Sequence, residues 1–435
     1  MKTVLIITYY WPPAGGPGVQ RVLKFARYLP HFGWSPVILT VTNGEYPAID
    51  ETLQKDIDAD VIVHKTRSFE PFVLYRLLTG QKSDTKISTF VLTEDSQGGF
   101  ARRFASFLRG NLFIPDARIG WLPFAVKAGW RILKAQNIDL FFSTAPPMTT
   151  HLIAKSLAKK SGLPWVADFR DPWTDVFYYH TLKRTRPAVA LDRHLEQSVL
   201  RSANVLVTVS PTLQKLFVAK TATTCHVIAN GYDEDDFKER AAAPNDNKLH
   251  VVHAGHLAIN QNPLGLWAAL HQLTQEDDTL SQKLQLDFYG SIHSRIRQSL
   301  DDLGLLPICK FYSYIPHDQL VAVMKRATLL FFVVPSTSYA KGILTSKLFD
   351  YMGAGRPILG IGPEDGDAAL ILQQTRVGKM IDPAHQEEIA NFIHLVLEKQ
   401  KMFSIERRTS PYKRERLTQS LAEIFDRCVT VSRLI

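Results

Sequence analysis

The stretch Lys341-Gly-Ile-Leu-Thr-Ser-Lys-Leu-Phe-Asp-Tyr-Met-Gly-Ala-Gly-Arg-Pro357 decides the fold of this chain. An apolar run at 327–335 precedes it and predicts a strand, and a second apolar run at 358–361 predicts another. Between them, Thr345 and Ser346 favour a helix start. Glycines and a proline then favour its end. Strand, helix and strand in this order are the repeating unit of a parallel α/β sheet.

A helix that begins in such a loop is suited to binding phosphate. Its first N–H groups lack helical partners, and its dipole places positive charge at that end. Lys347 can add a cation, and Asp350, one turn further on, can accept hydrogen bonds from a ribose. The alternative is an ordinary capped helix with a solvated lysine and aspartate.

Length and composition indicate a soluble globular protein of more than one domain. The chain has 435 residues, 45% of them apolar and 21% charged. Its formal net charge of +9 suits partners with phosphate or anionic head groups. The excess is spread along the chain and no RNA- or DNA-binding motif occurs, so we expect no nucleic-acid partner.

Cysteine usage and hydropathy favour a cytoplasmic protein. The three cysteines are far apart and form no C-x-x-C pair, which argues against both a disulfide framework and a structural zinc site. The apolar start ends in Trp11-Pro12-Pro13 and lacks the pattern of a signal peptide. No run reaches the ~18 apolar residues of a spanning helix.

The first half of the chain also opens as a doubly wound sheet. A strand at 3–8 leads into a loop with Gly15 and Gly16, followed by a helix pattern and a strand at 35–42. Glycines here let a ligand approach the backbone closely. A nicotinamide-dinucleotide site is an alternative, but the spacing is not G-x-G-x-x-G and the second strand lacks an acidic residue.

Alternating strands and helices continue to about residue 229, and a polar linker at 240–248 separates them from a second αβ series. We therefore expect two Rossmann-like α/β domains, the first at 1–240 and the second at 249–410. A final amphipathic helix is expected at 411–435. Each domain is of ordinary size.

Two polar clusters follow predicted strands. Asp168, Arg170 and Asp171 come at the carboxyl end of one, where open α/β sheets hold their sites. The alternative is a turn in which Asp171 pairs with Arg170. His256 follows a second-half strand and could sit beside a diphosphate, whereas His253, inside that strand, is expected to be a core histidine.

With these motifs together, the chain resembles the GT-B glycosyltransferases of the large retaining family 4, also called glycosyltransferase group 1. The likeness covers the Gly-Gly loop, the segments 166–173, 209–211, 230–233 and 254–257, and the stretch 347–357. It implies an α/β fold of two Rossmann-like domains facing across a cleft, with 1–240 as the acceptor domain and 249–410 as the nucleotide-sugar domain. It also implies a final helix that crosses back to the first domain.

The resemblance implies a hexosyltransferase-type enzyme that moves a sugar, with retention, from a nucleotide-sugar to a glycan or lipid-linked acceptor in surface polysaccharide synthesis. It implies no cofactor and no essential metal. The predicted residues divide into two groups. The catalytic group is Asp168, Arg170 and Asp171, and the donor-binding group is Gly15, Gly16, His256, Gly342, Thr345, Ser346, Lys347 and Asp350.

The chain departs from the family pattern at several of these positions. Gly342 stands where the first of two glutamates is usual, and Asp350 replaces the second. His256 takes the place of an arginine, and Arg170 that of a histidine. Two alternatives follow: a non-catalytic GT-B protein that binds a sugar-nucleotide or a membrane surface, and a GT-B sugar-nucleotide epimerase.

A basic, aromatic segment in the first half predicts contact with an anionic membrane on its cytoplasmic face. The residues concerned are Phe100, Arg102, Arg103, Phe104, Phe107, Leu108, Arg109, Trp121, Phe124, Trp130 and Arg131. Such a mixture is typical of interfacial helices. The alternative is a helix facing the core with solvated arginines.

Overall fold

The computed structural model describes residues 1–46, 48–69, 107, 110–176, 179–238, 246–398 and 407–432. The chain divides into two compact units. The first comprises residues 1–229 and 417–435, and the second residues 230–416. In the described parts, no helix combines the length and the apolar character needed to cross a membrane.

The first unit is built on a seven-stranded, fully parallel sheet in the order β3-β2-β1-β4-β5-β6-β7. Its strands are β1 (Lys2–Ile7), β2 (Trp34–Val41), β3 (Ile62–Thr66), β4 (Leu140–Ala145), β5 (Trp165–Phe169), β6 (Val205–Thr208) and β7 (Cys225–Val227). Most of these strands are buried on both faces, as their continuous apolar runs predict.

Helices cover both faces of this sheet. They are α1 (Pro17–Tyr28), α2 (Leu122–Ala135), α3 (Thr149–Ser161), α4 (Arg186–Ser202) and α5 (Pro211–Val218). Apolar residues of α2 to α5 form one core with the sheet. On the other face, α1 shares a second core with the last helix of the chain, through residues such as Leu421 and Phe425.

The second unit repeats the plan with a six-stranded parallel sheet in the order β10-β9-β8-β11-β12-β13. Its strands are β8 (Leu249–Ala254), β9 (Leu284–Tyr289), β10 (Cys309–Tyr312), β11 (Leu329–Val333), β12 (Ile358–Ile361) and β13 (Gly378–Ile381). Its helices are α6 (Leu264–Glu276), α7 (Asp278–Lys283), α8 (Ser294–Asp302), α9 (His317–Arg326), α10 (Ser346–Ala354), α11 (Asp367–Thr375) and α12 (Gln386–Glu398). Helix α13 (Arg414–Ser432) begins in this unit, and its residues from Leu417 onward group with the first.

In both sheets the strand order reverses beside the first strand, between β1 and β4 and between β8 and β11. Loops leaving neighbouring strands diverge at such a point and leave a crevice at the carboxyl edge of the sheet. The α/β fold of two Rossmann-like parallel sheets, predicted from the order of apolar runs, is thereby confirmed.

Candidate functional site

The loop after β8 and the start of α10 meet at the carboxyl edge of the second sheet. Gly255 has a φ of +109°, which glycine adopts without strain. A Cβ at this position would lie 2.8 Å from Cε of Lys347, so only glycine leaves room for that side chain. The Lys347 ammonium lies 3.4 Å from the carbonyl oxygen of His256 and donates to it. The structure thus brings Lys347 and His256 together.

The start of α10 is held in place by its own cap and by a bond to β8. The hydroxyl of Thr345 accepts from the N–H of Lys347 at 3.4 Å, and Ser346 is the first helical residue. The Tyr351 hydroxyl accepts from the N–H of Ala254 at 2.9 Å. Gly342 is buried in the short 3-10 turn that precedes this start. The helix N-terminus is therefore fixed against the strand end, as a phosphate site requires.

Charge at this strand end is concentrated on Lys347. Burial lowers the pKa of Lys347 to about 8, and the nearby Asp350 carboxylate opposes that shift. His256 is exposed, and its Nδ1 lies 2.7 Å from Oγ of Ser291, within hydrogen-bond distance. Lys347 and His256 therefore offer a cation and an imidazole beside a set of backbone N–H groups.

His253 lies inside β8 and is fully buried. Its Nδ1 lies 3.1 Å from the carbonyl oxygen of Phe331, and since a carbonyl only accepts, Nδ1 carries the proton. Burial lowers the pKa of His253 to about 3, with the charge of Lys347 acting in the same direction. His253 is thus a neutral core histidine, which confirms that prediction.

Asp350 lies one turn into α10, among charged groups that sequence reasoning missed. Burial raises its pKa, whereas His317 and Arg414 lower it and Asp236 adds to the rise. His317 Nε2 lies 3.8 Å from an oxygen of Asp236. These partners come from α9, from the start of α13 and from the 234–237 turn. Because they are far apart in the sequence, only the structure shows that they lie near Asp350.

Two side-chain amides join the loops that follow β8 and β11. Gln261 donates from Nε2 to the carbonyl oxygen of Val333 at 2.8 Å and accepts from the N–H of Ala258 at 3.1 Å. Asn262 accepts from the indole N–H of Trp267 at 2.8 Å. Gln261 and Asn262 therefore help to shape the wall of the crevice beside β8 and β11.

In the first unit, the glycine loop leads directly into α1. Gly16 is the N-cap of α1 and has a φ of +103°, a conformation that few other residues adopt. The N–H of Gly15 donates to the carbonyl oxygen of Ala48 at 2.9 Å. A Cβ on Gly18 would lie 2.2 Å from Nη1 of Arg170. The glycines therefore allow Arg170 to lie against the first turn of α1.

Arg170 is held by backbone carbonyls rather than by a carboxylate. Its Nε donates to the carbonyl oxygen of Ala145 at 2.9 Å, and its Nη2 to that of Pro146 at 2.7 Å. Among the described residues it forms no salt bridge, so the alternative in which Asp171 pairs with Arg170 is wrong. Asp171 itself is exposed.

Asp168 has a different role from the predicted one. It is 0% exposed and accepts from Nε and Nη2 of Arg21, at 3.1 and 2.8 Å, and from the Thr144 hydroxyl at 2.7 Å. Arg21 is equally buried and also donates to the carbonyl oxygens of Ile228 and Ala229. With no exposed atom, Asp168 positions Arg21 and does not present its carboxylate to a substrate. We therefore correct its assignment from catalytic to positioning residue.

The predicted membrane segment is only partly described. Phe100, Arg102, Arg103, Phe104, Leu108 and Arg109 lie outside the described residues. Trp121 is fully buried and donates to the Thr66 hydroxyl, so its prediction as a surface residue is wrong. Phe107 and Phe124 are exposed, at 45% and 43%.

Potential metal ligands come together at one place in the described part of the chain. Glu364, His385 and Glu388 bring ligand atoms within 4.8 Å of one another at an exposed position. His385 pairs with Glu364 at 3.0 Å, and Lys379 pairs with Glu388. Because Lys379 and His385 already pair with the two glutamates, we interpret the cluster as a surface ion-pair network.

Two family models match adjacent parts of the chain. The model described as Glycosyltransferase Family 4 matches residues 73–236, and the model described as Glycosyl transferases group 1 matches residues 234–416. The second match contains the whole crevice of β8 and α10. No curated protein matches the chain significantly in sequence.

Solved structures share the whole fold at low sequence identity. Sucrose-phosphate synthase from Thermosynechococcus elongatus is 14% identical, with a TM-score of 0.67 and coverage of 99% of this chain and 100% of that one. The UDP-forming α,α-trehalose-phosphate synthase from Burkholderia xenovorans, in complex with glucose-6-phosphate, is 10% identical, with a TM-score of 0.61. The match covers 99% of this chain and 100% of that one. A Listeria monocytogenes protein that is described, without an established activity, as a UDP-N-acetylglucosamine 2-epimerase is 11% identical, with a TM-score of 0.55 and coverage of 98% of each chain.

The structural matches establish the fold alone, because the sequence identities are low. The family models indicate the class of activity, which is glycosyl transfer. Together the two models span residues 73–416 of the 435. On the combined evidence of two parallel Rossmann-like sheets and these matches, the chain is a glycosyltransferase enzyme with the GT-B fold.

Proposed function

We propose that this enzyme is a retaining hexosyltransferase that moves a sugar from a nucleotide-sugar to a glycan or lipid-linked acceptor in surface polysaccharide synthesis. The observation that supports the proposal most strongly is that the Lys347 side chain, at the start of α10, packs against Gly255 and donates to the carbonyl oxygen of His256. A cation, a helix N-terminus and a glycine loop in one place form a site for the diphosphate of such a donor.

Glycosyl transfer needs charge stabilisation more than covalent help from the protein. The bond between the anomeric carbon and the diphosphate oxygen breaks as the acceptor oxygen bonds to that carbon, and the transition state resembles an oxocarbenium ion. Negative charge then builds on the leaving diphosphate. Lys347 and the N–H groups at the start of α10 would stabilise that charge, and Asp350 would hold the ribose of the donor.

The proposal also gives a role to polar groups of the first unit, which would act on the reacting sugar or the acceptor. Arg170 and the exposed Asp171 follow β5 at its carboxyl edge, and Gly15 and Gly16 follow β1 at the same edge. We assign Arg170 and Asp171 to the reacting sugar or the acceptor. The acceptor hydroxyl must lose its proton during transfer, and the leaving diphosphate can receive it. The proposal includes no metal and no cofactor.

Incubation with a panel of UDP-, GDP- and ADP-sugars tests this function. With a suitable acceptor, one donor should yield nucleoside diphosphate and a glycosylated product. Asp350→Ala should lower that yield at least about tenfold through lost ribose contacts. Asp301→Ala, which removes an exposed carboxylate from α8, is the matched control and should leave the yield unchanged.

The same panel separates the alternatives. Conversion of one nucleotide-sugar into another without an acceptor would identify an epimerase and contradict the proposal. Tight donor binding with neither transfer nor hydrolysis would identify a non-catalytic binding protein, which is the alternative suggested by Gly342.

A further inference from the structure

The four helices that cover one face of the first sheet carry a one-sided charge. Helices α2, α3, α4 and α5 contain ten lysines and arginines, which we call the basic face: Lys127, Arg131, Lys134, Lys155, Lys159, Lys160, Arg186, Arg193, Arg201 and Lys215. All are exposed except Lys155, which is half-buried. These helices share one core with the sheet, so their outer sides point the same way.

Acidic residues on these helices do not offset that charge at the surface. The helices contain two, Asp192 and Glu196, and both are buried. Asp192 pairs with Arg184 and accepts from the indole N–H of Trp173 at 2.9 Å. Glu196 pairs with Lys220 at 2.8 Å. Both carboxylates are thus neutralised inside the protein, and all charged lysine, arginine, aspartate and glutamate side chains on the outer side of the four helices are positive.

The opposite face of the same sheet provides an internal comparison. From Leu417 onward, helix α13 packs on that face and carries Glu423 and Asp426 with one cation, Arg427. Helix α1 shares the same core, and two of its three cations, Arg21 and Lys24, are buried in ion pairs with Asp168 and Asp56. Arg427 lies 3.7 Å from Glu423, and Lys2 lies 2.6 Å from Asp426. Mixed charge with local pairing is the usual condition of a protein surface. The one-sided charge of the basic face is therefore a property of that face and not of the whole unit.

Like charges crowd together on the basic face without local compensation. Lys155 and Lys159 are one helical turn apart on α3, and partial burial and the charge of Lys159 both lower the pKa of Lys155. Like pairs at this spacing destabilise a helix. A surface that concentrates such pairs is suited to a polyanionic partner.

We propose that the basic face is the surface with which this protein binds an anionic phospholipid bilayer. Three large apolar side chains lie among the cations: Phe124 is 43% exposed, Leu191 49% and Val218 57%. A bilayer interface accepts both kinds of side chain, the cations at the head groups and the apolar groups just below them. Single-stranded nucleic acid would instead favour several exposed aromatic platforms for its bases, and of the Phe, Tyr and Trp side chains on these four helices only that of Phe124 is exposed.

The inference rests on the proposed function in one respect, because a lipid-linked acceptor gives the enzyme a reason to bind the bilayer. It extends the predicted membrane contact to a defined surface of four described helices. Binding to lipid does not require donor or acceptor, so the two proposals can be tested separately.

Vesicle co-sedimentation with two charge-reversal variants of the full chain tests the proposal. The face variant combines Arg131→Glu, Lys159→Glu and Arg193→Glu, one change on each of α2, α3 and α4. The control combines Lys283→Glu, Arg295→Glu and Lys310→Glu, which are exposed cations of the second unit. Both variants change the net charge equally. Their binding is compared on phosphatidylcholine vesicles with and without phosphatidylglycerol, at low salt and at about 0.5 M salt.

We expect the parent to bind only the anionic vesicles and to release them at high salt. The face variant should bind at least about tenfold more weakly, and the control within about twofold of the parent. Failure of the parent to bind, parent-like binding by the face variant, or equal losses in both variants would overturn the proposal. Binding to duplex DNA without binding to vesicles would assign the face to nucleic acid and also overturn it.

Nucleoside diphosphate binding, measured on the same preparations, separates this proposal from the proposed function. A far-UV circular dichroism spectrum and a melting temperature like those of the parent show that the face variant is folded, because its substitutions and the proposed nucleotide site lie in different units. If the reversals prevent folding, the glutamine variant at the same three positions replaces it, with the same expected loss. A parent that binds vesicles but no nucleotide would instead contradict the proposed function alone.

Discussion

At the residue scale, Asp168 and Asp171 stand three positions apart in entirely different surroundings. Asp168 is fully buried against Arg21, and Asp171 is exposed beside Arg170. Removing one partner of a buried ion pair leaves an uncompensated charge in the core, which costs about 3–5 kcal/mol. Removing an exposed carboxylate typically changes stability by less than about 0.5 kcal/mol.

We therefore predict that Asp168→Ala strongly destabilises the protein, whereas Asp171→Ala leaves stability unchanged and lowers turnover more than donor binding. Urea unfolding of both variants and of the parent measures the first effect, and steady-state kinetics the second. An Asp168→Ala protein that unfolds like the parent would show that the Arg21 pair is not structural.

Lys347 provides a prediction about pH. Its pKa is lowered to about 8, so the side chain is mostly charged at pH 7 and mostly neutral at pH 9. A neutral amine attracts a diphosphate much less than an ammonium group does. Affinity for a nucleoside diphosphate should therefore fall several-fold as the pH rises from about 7 to about 9.

Titration calorimetry across this pH range checks the Lys347 prediction, with Lys347→Met as the matched control. The control should bind more weakly and show little change with pH. The same pH dependence in parent and control would assign the titration to another group.

The sequence predicts residues of the candidate site unevenly. Thr345, Ser346 and Lys347 are adjacent, so a local pattern is enough to find them. The contact of Lys347 with the loop after β8 joins positions 91 residues apart, and the Arg21–Asp168 pair spans 147. No local pattern can indicate which of several aspartates such an arginine will meet. The burial of Asp168 therefore had to come from the structure.

At the scale of elements, the apolar runs predict most strands of both sheets to within a few residues. Strand β12 is found at its predicted 358–361, and β1, predicted at 3–8, is found at Lys2–Ile7. Helix α8 is not predicted, because only Ile296 and Leu300 are buried in an otherwise polar sequence. A helix that buries so little leaves too weak a periodic signal.

A charged network joins the start of β8 to β9. His250 lies 2.6 Å from the buried Asp287 and 3.2 Å from Asp246. The hydrogen bond to Asp287 is the main cause of a raised His250 pKa, and burial opposes it. The stabilising effect of this network is therefore fully present below about pH 6.5, where unfolded histidine is charged, and is lost as the pH rises through the folded pKa.

We predict that His250→Asn lowers the melting temperature by a few degrees at pH 6 and by clearly less at pH 9. Differential scanning calorimetry at both values measures the difference. His385, which is exposed in the same unit, supplies the control: His385→Asn should cost little at either pH, because exposed pairs contribute little. An equal loss for His250→Asn at both values would contradict the account.

At the scale of the whole molecule, two αβ series separated by a polar stretch predict two parallel sheets, and both are found. The structure places the division between the units at residue 229/230, and the predicted linker at 240–248 lies mostly outside the described residues. The second unit contains the Lys347 site, and the first unit contains the basic face. The sequence could not show that face, because its ten cations are spread over residues 127–215 and alternate with buried positions.

The central claim is that Lys347 and the start of α10 hold the diphosphate of a nucleotide donor. Titration calorimetry of Lys347→Ala with a nucleoside diphosphate and with the matching nucleoside tests it most directly. The nucleotides are UDP, GDP and ADP, and the pair used is the one that the parent binds. We predict a loss of at least about tenfold for the diphosphate and a change within about twofold for the nucleoside. Equal losses for both ligands, or parent-like affinity for the diphosphate, would contradict the claim.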